Sequence, residues 1–460
     1  MVRTDVVVIG AGLLGCFTAR NLRKYNTDVI VLEKESDVCR GISRANTGII
    51  YPGYDTKPGT TKHKLCVQAC MAFSNLCKDL GVKYEQTGSL MVAYGPEGAK
   101  TIRKKYDDGI AGGIEGLQLL NGEETMAIEP LLSDGVELAL LSKTAGTVNP
   151  WELGIAAYEN ARDNGAQFVF DTRVVDLRQD EAAWIVETED ETYSARVVVN
   201  AAGLYSDKVR EMVKEPLIRI RPSAADYIVL DRCDDRPIKH IIQHEAEDGK
   251  GLTLVPTVDG SILVGPTNRD VEEPEVDYRT SSEGLDELRS LCAEVVPGLD
   301  LGKQIRSFGS LRPNAYMIGE EDKSLHDFNI LDEEGLISLI GIKTPGLTFS
   351  NELGKLVTEK TCSYLGKTAE VNASYNPVRK APTVVAGLSL EERAKLIAEN
   401  PNYGEIICDC MGVSKAEVLD AIARGARDFE GIRRRTGIGM GSCQGCRCKK
   451  RVIDILEGSK

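Results

Sequence analysis

The sequence predicts an α/β chain in three parts: a parallel-sheet nucleotide-binding domain, a mostly antiparallel α+β domain inserted into it, and a small helical domain at the C-terminus. Three observations predict this. A glycine fingerprint joins a strand pattern to a helix pattern at the start. Short strand-like runs bounded by turn residues fill the middle of the chain. Two cysteine pairs, Cys408-Asp409-Cys410 and Cys443-Gln444-Gly445-Cys446, close it.

The elements follow in order. Residues 5–10 (DVVVIG) read as a buried strand, residues 16–24 as a helix, and residues 28–32 as a second strand ending at Glu33. In such a βαβ unit Gly10 permits the tight turn, Gly12 lets the backbone approach a pyrophosphate, and Gly15 lets the helix pack on the strand. The pyrophosphate would sit at the helix N-terminus. Glu33 is placed to accept hydrogen bonds from an adenosine ribose and would repel a 2′-phosphate, which disfavours NADP as the resident nucleotide. NAD and FAD both fit this unit. Residues 195–207 (strand into a small-residue turn) and 341–350 (glycine turn opening a helix near Phe349) read as further loops closing on a long cofactor.

Strands are expected at 88–94, 226–230, 252–256 and 261–266. They divide the chain into a nucleotide domain (1–80, 145–215, 325–373), an inserted substrate domain (81–144, 216–324), a linker carrying Pro377 and Pro382 (374–402), and a cysteine domain (403–460) with helices at 414–424 and 429–436. With 460 residues, several cores are expected.

Composition narrows the class. The formal charge of −14 argues against nucleic acid or an anionic membrane as partner. No apolar run reaches the length of about 18 residues that a membrane span needs, and the N-terminus lacks a signal-peptide pattern, so a cytoplasmic location is expected. The thirteen cysteines then read as metal ligands and buried thiols, not a disulfide framework. Cys66 and Cys70 are expected in the core. The four-thiolate set suits an iron–sulfur cluster, although spacing alone leaves zinc open. Cys448 is an extra thiol, and Arg433, Arg434, Arg435, Arg447, Lys449, Lys450 and Arg451 form a basic collar that either offsets cluster charge or guides an acidic redox partner.

A set of short motifs carries a resemblance over about residues 4 to 370: GAGLLG with Glu33, SRANTG (43–48), KPGT (57–60), TVNP (147–150), VNAAG (199–203), VPT (255–257), GPT (265–267), LRP (311–313) and PGLT (345–348). The chain resembles the FAD-dependent D-amino-acid-oxidase-like superfamily, within it the glycerol-3-phosphate dehydrogenase and L-2-hydroxyglutarate oxidase type. The tail resembles a bacterioferritin-associated-ferredoxin-like [2Fe-2S] domain whose C-x-C and C-x-x-C pairs match Cys408, Cys410, Cys443 and Cys446. The resemblance implies a glutathione-reductase-type Rossmann-like FAD domain. Gly10, Gly12, Gly15 and Glu33 would hold the adenosine diphosphate half, with Val174 and Val175 near the adenine. Ser43, Arg44, Ala45, Asn46, Thr47, Ala201, Gly203, Gly341, Gly346, Leu347 and Thr348 would lie along the rest, largely through backbone groups.

Two departures bear on chemistry. Where members of this type carry a histidine, the chain reads Ile49-Ile50-Tyr51-Pro52-Gly53-Tyr54, and where they carry a basic residue it has Ser223. The four histidines, His63, His240, His244 and His326, fall outside the matched motifs and are expected at the surface. Arg312, able to pair bidentately with a carboxylate or phosphate, is the leading candidate for substrate binding, with Tyr51, Tyr227 and Lys343 as further polar groups. The expected activity is FAD-dependent oxidation of a small anionic 2-hydroxy acid or glycerol-3-phosphate-like substrate. Electrons would pass through a [2Fe-2S] cluster to a protein partner, for which cluster-bearing family members imply an NAD(P)H-linked flavoprotein or other redox subunit. An amino-acid or opine-type dehydrogenase, and an electron-relay or scaffold subunit, are the alternatives.

Overall fold

The computed structural model describes every residue except 181–182, 233–234, 247–250, 272–277, 321–323, 326, 367–369 and 460. The chain divides into two compact units, Met1–Pro377 and Val378–Lys460.

In the first unit, five parallel strands run in the order Gln167–Val169, Val29–Leu32, Val2–Ile9, Thr192–Asn200, Leu336–Ile340. An antiparallel pair, Val174–Asp180 and Ala183–Thr188, adds to the first half of the Thr192–Asn200 strand, and Asn329–Glu333 pairs with Leu336–Ile340. The strands are buried on both faces, so they read as continuous apolar runs. The Leu13–Leu22 helix packs on this sheet with the Pro150–Asp163 and Ser350–Leu365 helices, and Phe17 and Leu22 are fully buried in their shared core. Asn149 starts the Pro150–Asp163 helix by accepting hydrogen bonds from the amides of Trp151 (3.0 Å) and Glu152 (3.2 Å), with Pro150 at the position that needs no amide.

A nine-stranded sheet draws its strands from two stretches of chain, between residues 89 and 142 and between 218 and 317. All its pairings are antiparallel except Ile241–His244 beside Ser89–Ala93. Its longest ladder joins Ile218–Leu230 to Gln304–Met317 and sets Ser223 opposite Arg312 and Tyr227 opposite Phe308. That strand extends eight residues upstream of the expected 226–230, because the ladder continues through Pro222 and Pro313, which face each other.

The second unit begins with the Leu390–Glu399 helix, capped at both ends of its first turn by Ser389 and Glu392. A hairpin of Ile406–Cys408 and Val413–Ser414 follows, then helices Lys415–Ala423, Phe429–Thr436 and Lys449–Gly458. The last of these was not anticipated; its apolar residues Val452 and Leu456 complete the small core with Cys448 and Ile432.

Truncating Phe17, which lies fully buried between three helices, to alanine should cost about 3–5 kcal/mol. A lowered denaturant midpoint for the flavin-bearing unit checks this.

Candidate active site and metal centre

The nucleotide cradle is built where the first strand ends. The helix begins at Leu13, three residues before the expected start, with Gly12 as an N-cap that lacks a side-chain acceptor. Its first amides therefore face open space, except that Leu13 N donates to Ser43 Oγ (3.1 Å). A helix start left bare in this way is an anion site. Two glycines make it possible: a Cβ on Gly15 would stand 1.9 Å from the Gly10 carbonyl oxygen, and one on Gly10, at φ +99°, would stand 2.7 Å from the Ala201 carbonyl. Glu33 ends the second strand and accepts hydrogen bonds from the amides of Ala11 (2.6 Å) and Glu35 (3.0 Å). Burial raises its carboxyl pKa against these two opposing bonds.

A cavity of about 650 Å³ opens from this cradle. Of the expected cofactor residues, Gly10, Gly12, Glu33, Ser43, Arg44, Ala45, Asn46, Thr47, Val174, Ala201, Gly203, Gly346 and Leu347 line it. Gly15, Gly341 and Thr348 support it from behind: Gly341, at φ +67°, allows the loop to pass against Ala315, and the Thr348 hydroxyl accepts a hydrogen bond from Tyr51 N at 3.1 Å. Val175 does not line it. It is 45% exposed, because successive residues of a strand face opposite sides and Val174 takes the inner one. Tyr205, from the 195–207 segment expected to close on the cofactor, also lines the cavity, as do Thr172, Arg173 and Tyr278, which come from loops with no motif.

All four expected chemical residues, Tyr51, Tyr227, Arg312 and Lys343, face the same cavity. Arg312 is steadied by Asn268 Oδ1 (2.9 Å) and the Thr267 carbonyl (3.1 Å). Lys343 donates to Asn314 Oδ1 (3.1 Å), and Asn314 in turn donates to Ser223 Oγ (3.0 Å). Thus the serine found in place of a basic residue is buried, opposite Arg312, and helps to hold Lys343. Burial, with Lys62 and Arg312 nearby, lowers the Lys343 pKa. Tyr227 stacks on Phe308 (4.6 Å between ring centres, 10° between planes). Burial drives the Tyr51 and Tyr227 phenols above their ordinary pKa, so both stay protonated.

The histidines depart from expectation. His63 is buried, its ring between Thr56 Oγ1 (2.9 Å) and the Gly112 carbonyl (3.0 Å), because the helix start at Thr61 turns it inward. His240 is partly buried and its Nδ1 lies 2.8 Å from the fully buried Glu129 carboxylate; His244 is also partly buried. His326 lies outside the described residues. Cys66 and Cys70 are buried, as expected, and burial raises both thiols, Cys70 to about 11.

In the second unit the Cys410 and Cys443 sulfurs are 3.7 Å apart. Two thiolates on one tetrahedral metal at about 2.3 Å have very nearly this edge length. The amides of Arg447 and Gly445 point at the Cys443 sulfur and lower its pKa, as a thiolate ligand requires. Cys408 is buried and Cys446 exposed. Among the described residues no three His, Cys, Asp or Glu close on a single ion. The basic collar is only partly at the surface. Arg433 and Arg434 are buried, whereas Arg447, Lys449, Lys450 and Arg451 are exposed, with Lys450 paired to Asp454 and Arg451 to Glu405.

A dinucleotide cradle opening on a cation-lined cavity, followed by a thiolate unit, defines a nucleotide-dependent redox enzyme. The chain belongs to the FAD dependent oxidoreductase family, whose model matches residues 5–360, and a BFD-like [2Fe-2S] binding domain matches residues 406–457. It is an FAD-dependent oxidoreductase. It is 36% identical over 455 residues to the glycerol 3-phosphate dehydrogenase of Caloramator mitchellensis, spanning 98% of this chain and 93% of that one. With the glycerol 3-phosphate oxidase of Mycoplasma pneumoniae it shares 26% identity over 383 residues (81% and 98% of the two chains). The fold superposes on the FAD-bound L-alpha-glycerophosphate oxidase of Mycoplasma pneumoniae with a TM-score of 0.76 at 24% identity, covering 84% of this chain and all of that one. No helix among the described residues is long and apolar enough to cross a membrane.

Replacing Gly15 with alanine should give protein without flavin absorption, as the methyl group would strike the Gly10 carbonyl. Replacing Cys446 with serine should remove iron and labile sulfide while leaving the flavin in place. Metal analysis that finds zinc and no sulfide in the unmodified chain would contradict the cluster.

Proposed function

We propose that this enzyme is a cytoplasmic dehydrogenase of a small anionic 2-hydroxy substrate, glycerol 3-phosphate before 2-hydroxy acids. A [2Fe-2S] cluster on Cys408, Cys410, Cys443 and Cys446 carries the electrons to an NAD(P)H-linked flavoprotein or another redox subunit. One observation carries the reading: two cations, Arg312 and Lys343, face the nucleotide cavity beside Tyr51 and Tyr227. The near full-length likeness to a glycerol 3-phosphate dehydrogenase supports it.

Gly10, Gly12, Glu33, Ser43 to Thr47, Ala201, Gly203, Gly346 and Leu347 would hold the FAD, which accepts a hydride from a carbon bearing a hydroxyl. Arg312 binds the anionic group bidentately, and its own anchoring by Asn268 and Thr267 limits the order lost on binding. Lys343 adds a second positive charge at a position fixed by Asn314. Tyr51 and Tyr227, both protonated, donate to or relay protons from the substrate hydroxyl.

Anaerobic mixing with glycerol 3-phosphate, 2-hydroxy acids and amino acids tests the reading. Bleaching of the flavin by glycerol 3-phosphate or a 2-hydroxy acid is expected. Bleaching by amino acids alone would favour an amino-acid or opine-type enzyme, and no bleaching with a cluster still reducible by a partner would favour a relay subunit. Arg312→Leu should lower kcat/KM by about 10²-fold, mainly through KM, given the 1.5–3 kcal/mol typical of hydrogen bonds to charged groups. Because the Lys343 pKa is lowered, its charge is lost at a lower pH than in a free lysine. In the unmodified enzyme kcat/KM should therefore fall on the alkaline side earlier than an ordinary lysine would dictate, and Lys343→Gln should remove that limb.

A further inference from the structure

We propose that Asp55 is the proton outlet of the active site, taking up through Tyr51 and a water-sized side cavity the proton that the substrate hydroxyl releases. This rests on the 2-hydroxy substrate proposed above. Oxidising an alcohol frees one proton for each hydride removed, and the imidazole that would accept it in the resembled enzymes is replaced by Tyr51. A neutral phenol can pass a proton on, but burial keeps Tyr51 from storing negative charge. It needs an acceptor behind it.

The structure supplies one. A second cavity of about 50 Å³ is lined by Gly53, Asp55, Thr56, Lys62 and Cys66, and it shares Tyr51, Thr344 and Pro345 with the wall of the large cavity. At about 30 Å³ for each water it has room for one or two. Its walls offer the polar partners such water needs. Among the described residues Asp55 is the one carboxylate lining it, and its side chain is 39% exposed, so the same group meets both the cavity and bulk solvent. Lys105 Nζ lies 2.9 Å from Asp55 and 2.8 Å from Glu245, which balances the carboxylate charge without closing it off. Other charged or titratable groups around Asp55 are Lys62 and Cys66 on the Thr61–Leu80 helix, and Tyr51 and Tyr54 on its own segment. Lys62, the other charged group lining the side cavity, is a cation, which leaves Asp55 as the base.

The step balances. As the substrate C–H bond breaks, its hydride being what FAD would accept, the O–H bond breaks and the carbonyl forms. The proton passes to Tyr51 Oη, whose own proton moves to cavity water and then to an Asp55 oxygen, from which solvent removes it. Asp55 thus acts through Tyr51 and does not touch the substrate.

Anaerobic flavin reduction by glycerol 3-phosphate in the holoenzyme, followed in water and in deuterium oxide, tests this. Asp55→Asn should lower the rate by about 10²-fold and enlarge the solvent isotope effect, with flavin spectrum and KM unchanged. Asp55→Glu should restore both the rate and the isotope effect. Lys105→Met, which removes the ion pair but keeps the carboxylate, should preserve them. An Asp55→Asn enzyme with the normal rate and isotope effect overturns the outlet alone, as does a Lys105→Met enzyme that loses the rate equally. An unmodified enzyme that no 2-hydroxy substrate reduces overturns the outlet together with the substrate reading.

Discussion

The structure depends on one close approach, that of the Leu13–Leu22 helix to the turn at the end of the first strand. Because neither Gly10 nor Gly15 has a side chain, the helix start lies against the strand ends with its amides uncovered, and every other cavity wall is arranged around that point. The Ser350–Leu365 and Pro150–Asp163 helices lock the first helix from outside through Phe17 and Leu22. Glu33 ties the second strand back to Ala11. A cofactor-sized space follows from the packing.

The inserted sheet contributes Tyr227 and Arg312 to the cavity wall. Its long ladder sets residues nearly ninety positions apart in sequence directly across from each other, and Ser223 opposite Arg312 is the pair that matters. Two basic residues there would repel each other in a half-buried site. With serine at 223, the hydrogen-bond chain from Ser223 through Asn314 fixes Lys343 instead, so the second cation enters from the loop before the last helix of this unit. On the proposed function, a second cation thus remains at the site without a basic residue on the strand. On the proposed function, Tyr51 in place of the histidine of the resembled enzymes bears on proton transfer and not on anion binding.

Much of this was legible in the sequence because it rests on local rules. Glycine spacing, the acid after the second strand and the cysteine pairs are short-range signals with direct physical causes. The inward turn of His63 was not legible, since burial of a polar ring depends on Thr56 and Gly112, which a helix pattern does not reveal. That Val174 lines the cavity while Val175 faces outward was not legible either, because the alternation of a strand can only be phased once its partner is known. The cavity-lining loops at Thr172 and Tyr278 and the hydrogen-bond chain to Lys343 are tertiary facts. The side cavity beside Asp55 is another.

The central claim is that substrate electrons enter at the flavin and leave through the cluster of the same chain. Anaerobic titration of the purified holoenzyme with glycerol 3-phosphate, read together by flavin absorbance and by the paramagnetic signal of the reduced cluster, tests it most directly. The account predicts that the flavin bleaches and the cluster signal appears in the same chain, without an added partner. Full bleaching with the cluster left oxidised at every substrate concentration would contradict it.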